Sequence, residues 1–408
     1  RFIDNTKFRH INGNYNFAHL INDWADLQVG GSYRQYELSS NGTIFTDKDG
    51  PITYSEYGAY AQLQKSFADE RAKFTTSARY DKNEFLDGFV SPRVSLGYTL
   101  GSKRNHNIRV SAQTGFRNPT TQDFFIGLDV GNAILVGGAD SNLDRDVRTF
   151  PVSAQAQAIG IPATSTIVGR AAYENSFSLS SVLAGAPVKK DTRQVQAEQI
   201  DAVEAGYRGK IGRFVVDISA YYNSYTNFNA AELKVVPLYG TAGDNQLSLL
   251  ALQNGDYKVY QAYSNTDVPV KSYGFVAGID TKIAGFDLGV NYTYTALDFN
   301  RFEYPDFEVG LNTPQDRFKA SLSHSELFKN FGFNLNYRYS GSYLWEASFA
   351  DGEVPAFDVL DAAMTYKLPQ YNTVLKLGGS NIAGGDYITA IGTGRIGSIY
   401  YASVNINF

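Results

Sequence analysis

The sequence predicts an all-β chain, a transmembrane antiparallel β-barrel with about fifteen strands in this chain. Three observations carry the prediction. Runs of about 10 residues alternate apolar and polar side chains, the period of a strand with one greasy and one wet face. Tyr and Phe recur at the ends of the apolar faces: Tyr98, Phe116, Tyr222, Phe286, Tyr294, Phe331 and Tyr339. The connections between runs alternate short and long, as in barrels with short turns on one side of a membrane and long loops on the other.

Composition narrows the field. Of 408 residues, 19% are charged, with 36 Lys and Arg against 41 Asp and Glu for a net charge of −5. A soluble domain carries about 25% charged residues. The 29 Tyr and 27 Phe supply an aromatic excess. Mean hydropathy is −0.27, and no run approaches the roughly 18 apolar residues of a membrane-spanning helix. Zero Cys excludes disulfide frameworks, thiolate zinc sites and cysteine nucleophiles. The mild negative charge lacks the clustered Lys and Arg of a nucleic-acid footprint.

In chain order, strands are expected near 8–19, 26–38, 54–67, 71–82, 90–100, 106–117, 199–209, 213–226, 270–282, 286–298, 316–326, 331–344, 357–368, 372–380 and 396–408. The fifth alternates Val94, Leu96, Tyr98 and Leu100 with Arg93, Ser95, Gly97 and Thr99. The sixth sets Ile108, Val110, Ala112 and Phe116 against Arg109, Ser111, Gln113 and Arg117. The eighth sets Phe214, Val216, Ile218 and Tyr222 against Asp217, Ser219 and Asn223. The tenth (Phe286 to Thr295) and twelfth (Phe331 to Ser340) repeat the pattern. Each run has the length a tilted strand needs to cross hydrocarbon.

The remaining strands are delimited by the connections. Tight turns fall at 22–24, 67–71, 101–105, 209–212, 284–285, 327–330 and 369–371. Longer connections fall at 39–53, 83–89, 118–198, 227–269, 299–315, 345–356 and 381–395. A soluble β-sandwich also alternates. The number and length of the strands, the placement of the aromatics and the short–long connections favour the membrane, with apolar stripes on lipid and polar stripes facing the bore.

The terminal strand runs Tyr400, Ala402, Val404, Ile406 and Phe408 on one face, with Tyr401, Ser403, Asn405 and Asn407 on the other. It resembles the closing strand of bacterial outer-membrane barrels, and Tyr400, Ile406 and Phe408 would form the membrane-assembly signal. Bacterial single-chain barrels have even strand numbers. An odd count with a periplasmic Phe408 predicts either one further strand in this chain or a barrel whose beginning is absent from it, and the first residue, Arg1, fits a processed or truncated start.

Residues 90–125 contain Ser91-Pro92-Arg93-Val94 and Gly115-Phe116-Arg117-Asn118-Pro119. Segment 199–226 contains Glu204-Ala205-Gly206-Tyr207 and Val216-Asp217-Ile218-Ser219-Ala220-Tyr221-Tyr222-Asn223. Segment 355–383 contains Asp361 and Ser380-Asn381-Ile382. In this order they resemble the barrel of TonB-dependent outer-membrane receptors, in a style closest to those of Bacteroidota. The resemblance implies a barrel of about 22 strands with a plug in its lumen, of which this chain would supply the last fifteen. It also implies TonB as energy-coupling partner and outer-membrane lipid around the wall. Neither a plug nor a TonB-binding box is legible here.

Chemistry-bearing motifs are sparse. Nucleophile-elbow, zincin and P-loop patterns are missing, so no enzyme activity and no cofactor is expected. His10, His19, His106 and His324 are isolated. Asp129, Asp140, Asn142, Asp144 and Asp146 in the 118–198 loop suggest either solvated loop acids or a calcium site, although the spacing fits no EF-hand. The two longest loops, 118–198 and 227–269, carry aromatics expected to be exposed: Phe124, Phe125, Tyr173, Phe177, Tyr239, Tyr257, Tyr260 and Tyr263. These rings either contact a ligand or pack the loops together.

On the lumenal face, Arg93, Arg109, Arg117, Lys319 and Arg338 with Asp81, Asp217 and Asp287 either pair across the wall or meet a ligand or plug. The candidate contact set is Arg93, Arg109, Arg117, Asn118, Phe124, Phe125 and Arg338. The expected function is uptake of a bulky nutrient through a plugged barrel. The alternative is a receptor-like scaffold in an outer-membrane secretion, assembly or surface-lipoprotein complex.

Overall fold

The computed structural model describes residues 2–17, 24–244, 246–347 and 350–406. Its main element is a 15-stranded antiparallel sheet in which successive strands pair in chain order. The strands are Lys7–Asn16, Asp26–Leu38, Ile52–Phe67, Ala72–Asn83, Phe89–Leu100, His106–Arg117, Glu198–Ile211, Phe214–Thr226, Val270–Ile283, Phe286–Asp298, Asp316–Phe328, Phe331–Ser340, Phe357–Leu368, Thr373–Ser380 and Ile399–Ile406. Each overlaps an expected strand. The expected run to 344 divides, because Tyr343–Trp345 pairs with Gly352–Val354 in a separate hairpin. Phe408 and His19 lie outside the described residues, as does most of the first turn. Among the described residues, Lys7–Asn16 and Ile399–Ile406 are each paired on one side only.

Register fixes the two faces. Leu96 lies opposite Val110 and Phe74, and Val290 lies opposite Ile279 and Ala320. These apolar rows are exposed on the molecule's outside, Leu96 by 40% and Ile406 by 50%. Tyr400 is on the same outward row of its strand and is exposed too. Apolar area left bare over fifteen strands would be prohibitive in water at about 25 cal/mol per Å². It is what a wall facing hydrocarbon requires.

The tight turns sit at one end of the sheet, flanked by aromatics. Lys65 Nζ lies 4.0 Å from the centre of the Trp24 ring. Phe328 and Phe331 stack at 4.4 Å. The two-residue turn Ala284-Gly285 has both residues left-handed, at φ 50° and 85°, as the primed hairpin turn demands. A Cβ on Gly285 would come within 2.3 Å of the His324 imidazole Nε2. Gly285→Val is expected to cost about 1–2 kcal/mol from the left-handed backbone alone, readable as a lower urea midpoint for loss of the heat-modifiable barrel band.

The opposite end carries the long connections, and these are folded. Segments from 118–198, 227–269 and 299–315 build one sheet, in the order Phe177–Ser178, Asn229–Pro237, Tyr257–Asn265, Ile134–Val136 and Gly127–Asp129. Phe307–Glu308 pairs with Asn229–Pro237 as well. Ile134, Val136, Leu143, Tyr173, Val236, Tyr260 and Ala262 form the core of this cap. A second cluster joins cap to wall: Leu38, Ile52 and Tyr54 from the strands meet Phe124, Phe125 and Val195.

Candidate ligand-capture site

Where chain leaves the wall for the cap, polar side chains form a neck. Arg117, the last residue of its strand, donates from Nη2 to Glu198 Oε2 at 2.7 Å, and the Asn229 backbone N–H donates to the same oxygen at 2.9 Å. Buried Asn265 donates to the carbonyls of Gln196 and Asn227, at 3.0 and 2.7 Å, and accepts from the Gln196 N–H at 2.6 Å. One amide thus ties three chain segments together.

Glu56 is a second hub. Asn83 Nδ2 and Asn118 Nδ2 donate to its Oε1 at 2.8 and 2.9 Å, and Tyr36 Oη donates to Oε2 at 3.4 Å. Arg34 lies at 3.5 Å. Beneath Asn118, a pocket of about 450 Å³ opens into the bore, lined by Arg34, Tyr36, Glu56, Asp81, Lys82 and Thr120. Arg34 is held loosely there, whereas Arg79 is bound to both Asp81 oxygens at 2.6 Å.

Lower down, the bore is lined by paired charges. Arg109 and Arg208 both approach Asp217, at 3.5 and 3.6 Å. Arg338 lies 3.4 Å from Asp361, which also accepts from Ser380 and the Asn381 N–H. Arg93 has no ion-pair partner among the described residues. It lines an 810 Å³ recess with Gln62, Lys73, Arg109 and Glu204.

The structure therefore brings Arg117 and Asn118 together at the neck and spreads Arg93, Arg109 and Arg338 along the wall. Phe124 and Phe125 require correction. They are 1% and 0% exposed, packed in the seam between cap and wall, because edge-on contacts with Tyr54 and Phe85 bury both rings. Tyr173, Phe177 and Tyr260 are likewise interior, and Tyr239, Tyr257 and Tyr263 are half-buried. The loop aromatics hold the loops to one another, the second of the two roles expected for them.

Asp140, Asp144 and Asp146 are engaged by arginine, whereas Asp129 accepts from the Gly131 backbone N–H at 2.8 Å. Arg170 binds Asp140 at 3.0 Å, Asp144 at 2.8 Å and Glu174 at 3.1 Å. Its guanidinium holds the Asp144 carboxyl below the usual range. Asp146 pairs with Arg148 at 2.9 Å, yet burial pushes its carboxyl up. Asn142 is buried on the carbonyls of Ile126 and Gly137. No group of three or more acidic or histidine side chains poised to hold a metal occurs among the described residues.

Two charge clusters escaped sequence reasoning. Glu232 and Lys234, alternate residues of one cap strand, are both buried. Glu232 meets Lys190, Lys234 at 3.0 Å and the Thr192 hydroxyl at 2.7 Å. Desolvation lowers the Lys234 ammonium despite Glu232. In the 299–315 loop, Arg301 grips Glu346 with two hydrogen bonds of 3.0 and 2.9 Å. Glu308 faces Glu346 and Asp351 and is pushed up to about 7, burial first and those two charges second. A strand of only two residues gives no alternation to read.

Comparison with known proteins agrees with this architecture. Residues 2–382 match the family described as TonB dependent receptor-like, beta-barrel. No curated protein matches the chain. Among solved structures, it is similar to the siderophore receptor PirA of Acinetobacter baumannii, at 11% identity and TM-score 0.61, covering 99% of this chain and 55% of that one. The ferric enterobactin receptor PfeA of Pseudomonas aeruginosa gives 12% and 0.62, covering 99% and 54%. The iron transporter FrpB of Neisseria meningitidis gives 13% and 0.60, covering 99% and 55%. The chain thus spans about half the length of these structures. With the 15-stranded wall, its outward apolar rows and a family match over nearly its whole length, this chain belongs to the TonB-dependent receptor β-barrel family.

Proposed function

We propose that this chain is the C-terminal part of the barrel of a TonB-dependent receptor that takes up a nutrient too bulky for porins, with capture at the cap and neck. One observation carries the reading: the long loops are a packed cap fastened to the wall through Arg117, Asn118 and Asn265, above a polar bore. Barrels of this family are outer-membrane proteins, and no described helix is long and apolar enough to cross a membrane. A plug and TonB would complete the device: the cap binds solute, the plug moves, and solute passes a lumen of paired charges. No covalent chemistry is required. Solute held by the cap would reach the pocket under Asn118 before the wall charges of Arg93, Arg109 and Arg338. The Bacteroidota-like style of the strand motifs suggests the source of the chain.

The test is uptake by cells carrying the complete receptor with or without residues 118–198. Ferric siderophores are the first solutes to try, because the similar structures are receptors and transporters of iron and its chelates. Uptake is expected to fall to background in the deletion while the barrel still inserts. Unchanged uptake would sink loop capture.

A second reading has its own observation. Residues 149–169 carry no charged side chain, and within that stretch Ile159 is 57% exposed. Neutral exposed surface of this kind favours a docking partner, so the barrel could serve as a scaffold for a surface lipoprotein or another outer-membrane subunit. Purification in mild detergent discriminates: a stoichiometric partner without bound solute supports the scaffold.

A further inference from the structure

The inward rows of the wall do not balance their charge. Among the described residues, the inward acids without an ion pair are Asp26, Glu204 and Asp280. Lys73, Arg93, Lys210, Arg317, Lys319 and Lys367 are inward cations without one. The chain as a whole carries −5, so the cationic surplus of the bore is a matter of placement and not of composition.

Part of that surplus gathers below the cap. One inward row, read across neighbouring strands by register, is Gly278, Asn291, Lys319 and Arg338. Lys319 and Arg338 are therefore directly opposed across a strand pair, and like charges in that position destabilise a sheet. Arg317 stands on the same face one pleat nearer the cap, the second residue of its strand. The wall does not fully neutralise these cations. Asp361 lies 3.4 Å from Arg338 but is also spent on the Ser380 hydroxyl and the Asn381 N–H. Asp280 lines the same cavity, of about 470 Å³, and makes no ion pair with Lys319. Asn291 accepts from Thr293 through Oδ1 at 3.4 Å, and its amide N–H groups have no acceptor among the described residues. A Cβ on Gly278 would crowd Asn291 Nδ2 at 3.3 Å, so glycine keeps that end of the row open. Broken local rules concentrate at functional positions.

We propose that Asn291, Arg317, Lys319 and Arg338 form a station in the upper bore for an oxyanion group of the imported solute: a carboxylate, a sulfonate or a phosphate. The ligand class follows from the donors. Ammonium, guanidinium and amide N–H groups meet in one row, and charge-assisted bonds to oxyanions are the strong ones such groups make. Low-dielectric walls focus their field on what enters. A solute leaving the cap on the side of the 299–315 connection meets Arg317 first and the opposed pair next. The inference rests on the uptake reading and narrows it to anionic solutes.

The test uses a thiol reporter, since this chain has no Cys of its own. Ser321→Cys, which lines the same cavity, is placed in the complete receptor in whole cells. It is reacted with an anionic sulfonatoethyl methanethiosulfonate and, separately, with its cationic trimethylammonioethyl counterpart. Each rate is normalised to that of 2-mercaptoethanol in solution. The anionic reagent is expected to be favoured at least about tenfold, the low end of what a focused field gives, and less so as salt screens the cations. Adding Lys319→Gln and Arg338→Gln should bring the two normalised rates together. Equal rates in the unmodified row would overturn the proposal. So would a preference that survives both glutamines, which would belong to the bore at large. A thiol closed to both reagents would mean that protein, not solute, fills the station, and refutes it as well. Should Ser321→Cys fail to insert, Asn336→Cys reads the same ratio from across the cavity. None of these rates depends on capture by 118–198, so loss of the station and loss of the uptake reading are told apart.

Discussion

Glu232→Ala is expected to melt the cap and leave the wall standing. The substitution removes a carboxylate that is in ion-pair contact with two lysines, one of which, Lys234, has no exposed surface. Breaking a buried pair from one side costs about 3–5 kcal/mol, because the remaining charge is left uncompensated. The Lys190 carbonyl also accepts from Lys234 at 3.0 Å, but a neutral dipole does not replace a charge. Asp306 is a second acid near enough to be felt by Lys234. It is committed to the Ser178 hydroxyl and the Ser180 N–H, where it closes the start of the helix Leu179–Leu183. The measurement is limited proteolysis at rising temperature, followed with heat-modifiable mobility of the barrel. Cuts within 118–269 should appear well below the temperature at which the wall unfolds. Coincident transitions in mutant and wild type would show that the cluster does not hold the cap.

How much of this was legible in the sequence follows from the range of the interactions involved. A wall strand announces itself locally: alternation across Val94 to Leu100 needs no knowledge of its partner. All fifteen expected strands overlap observed ones, and the outward rows are the apolar rows. The candidate charges on the wall were legible for the same reason, since a charged residue among outward Val and Leu must face the bore.

The cap was not legible. Its strands are two to nine residues long, and its decisive pairing, Tyr260 beside Ile134, joins segments more than a hundred positions apart in a parallel register. Phe124 and Phe125 show the consequence. Read within their own loop they have no partners and look exposed. They are buried because Leu38, Ile52 and Tyr54 arrive from strands far upstream. Glu56 was overlooked for a related reason. It sits on an ordinary polar row, and only the return of Asn118 to it, 62 residues later, makes it a hub. Arg117 and Asn118 stood out because a strand ends there, and that local signal does mark the neck.

Acidification should tighten the seam between the 299–315 and 345–356 loops. Glu308 is the group responsible. Burial and the charges of Asp351 and Glu346 raise it from 4.5 to about 7. Arg301 offers little relief, because its guanidinium is turned to Glu346 through Nε and Nη2. The Gln261 side-chain amide, a neutral group, donates to Glu308 from the buried cap strand. A carboxyl whose folded-state value lies above its unfolded one stabilises the fold fully below the unfolded value, and that stabilisation is lost as pH rises through the folded value. The window here is pH 4.5 to 7. Its ceiling is about 3 kcal/mol at 1.36 kcal/mol per pH unit, and partial solvent screening brings the realised effect lower. Hydrogen exchange of the amides in 299–315 and 345–356, corrected for intrinsic rates, should show protection falling across that window and level above pH 8. Glu308→Gln carries no charge at any pH, so it should hold the protected state throughout and abolish the slope. A slope of the same size in the variant would assign it to another group. A flat wild-type profile would mean that Glu308 stays ionised in the folded cap, with Gln261 and water sufficient to solvate it between two neighbouring carboxylates.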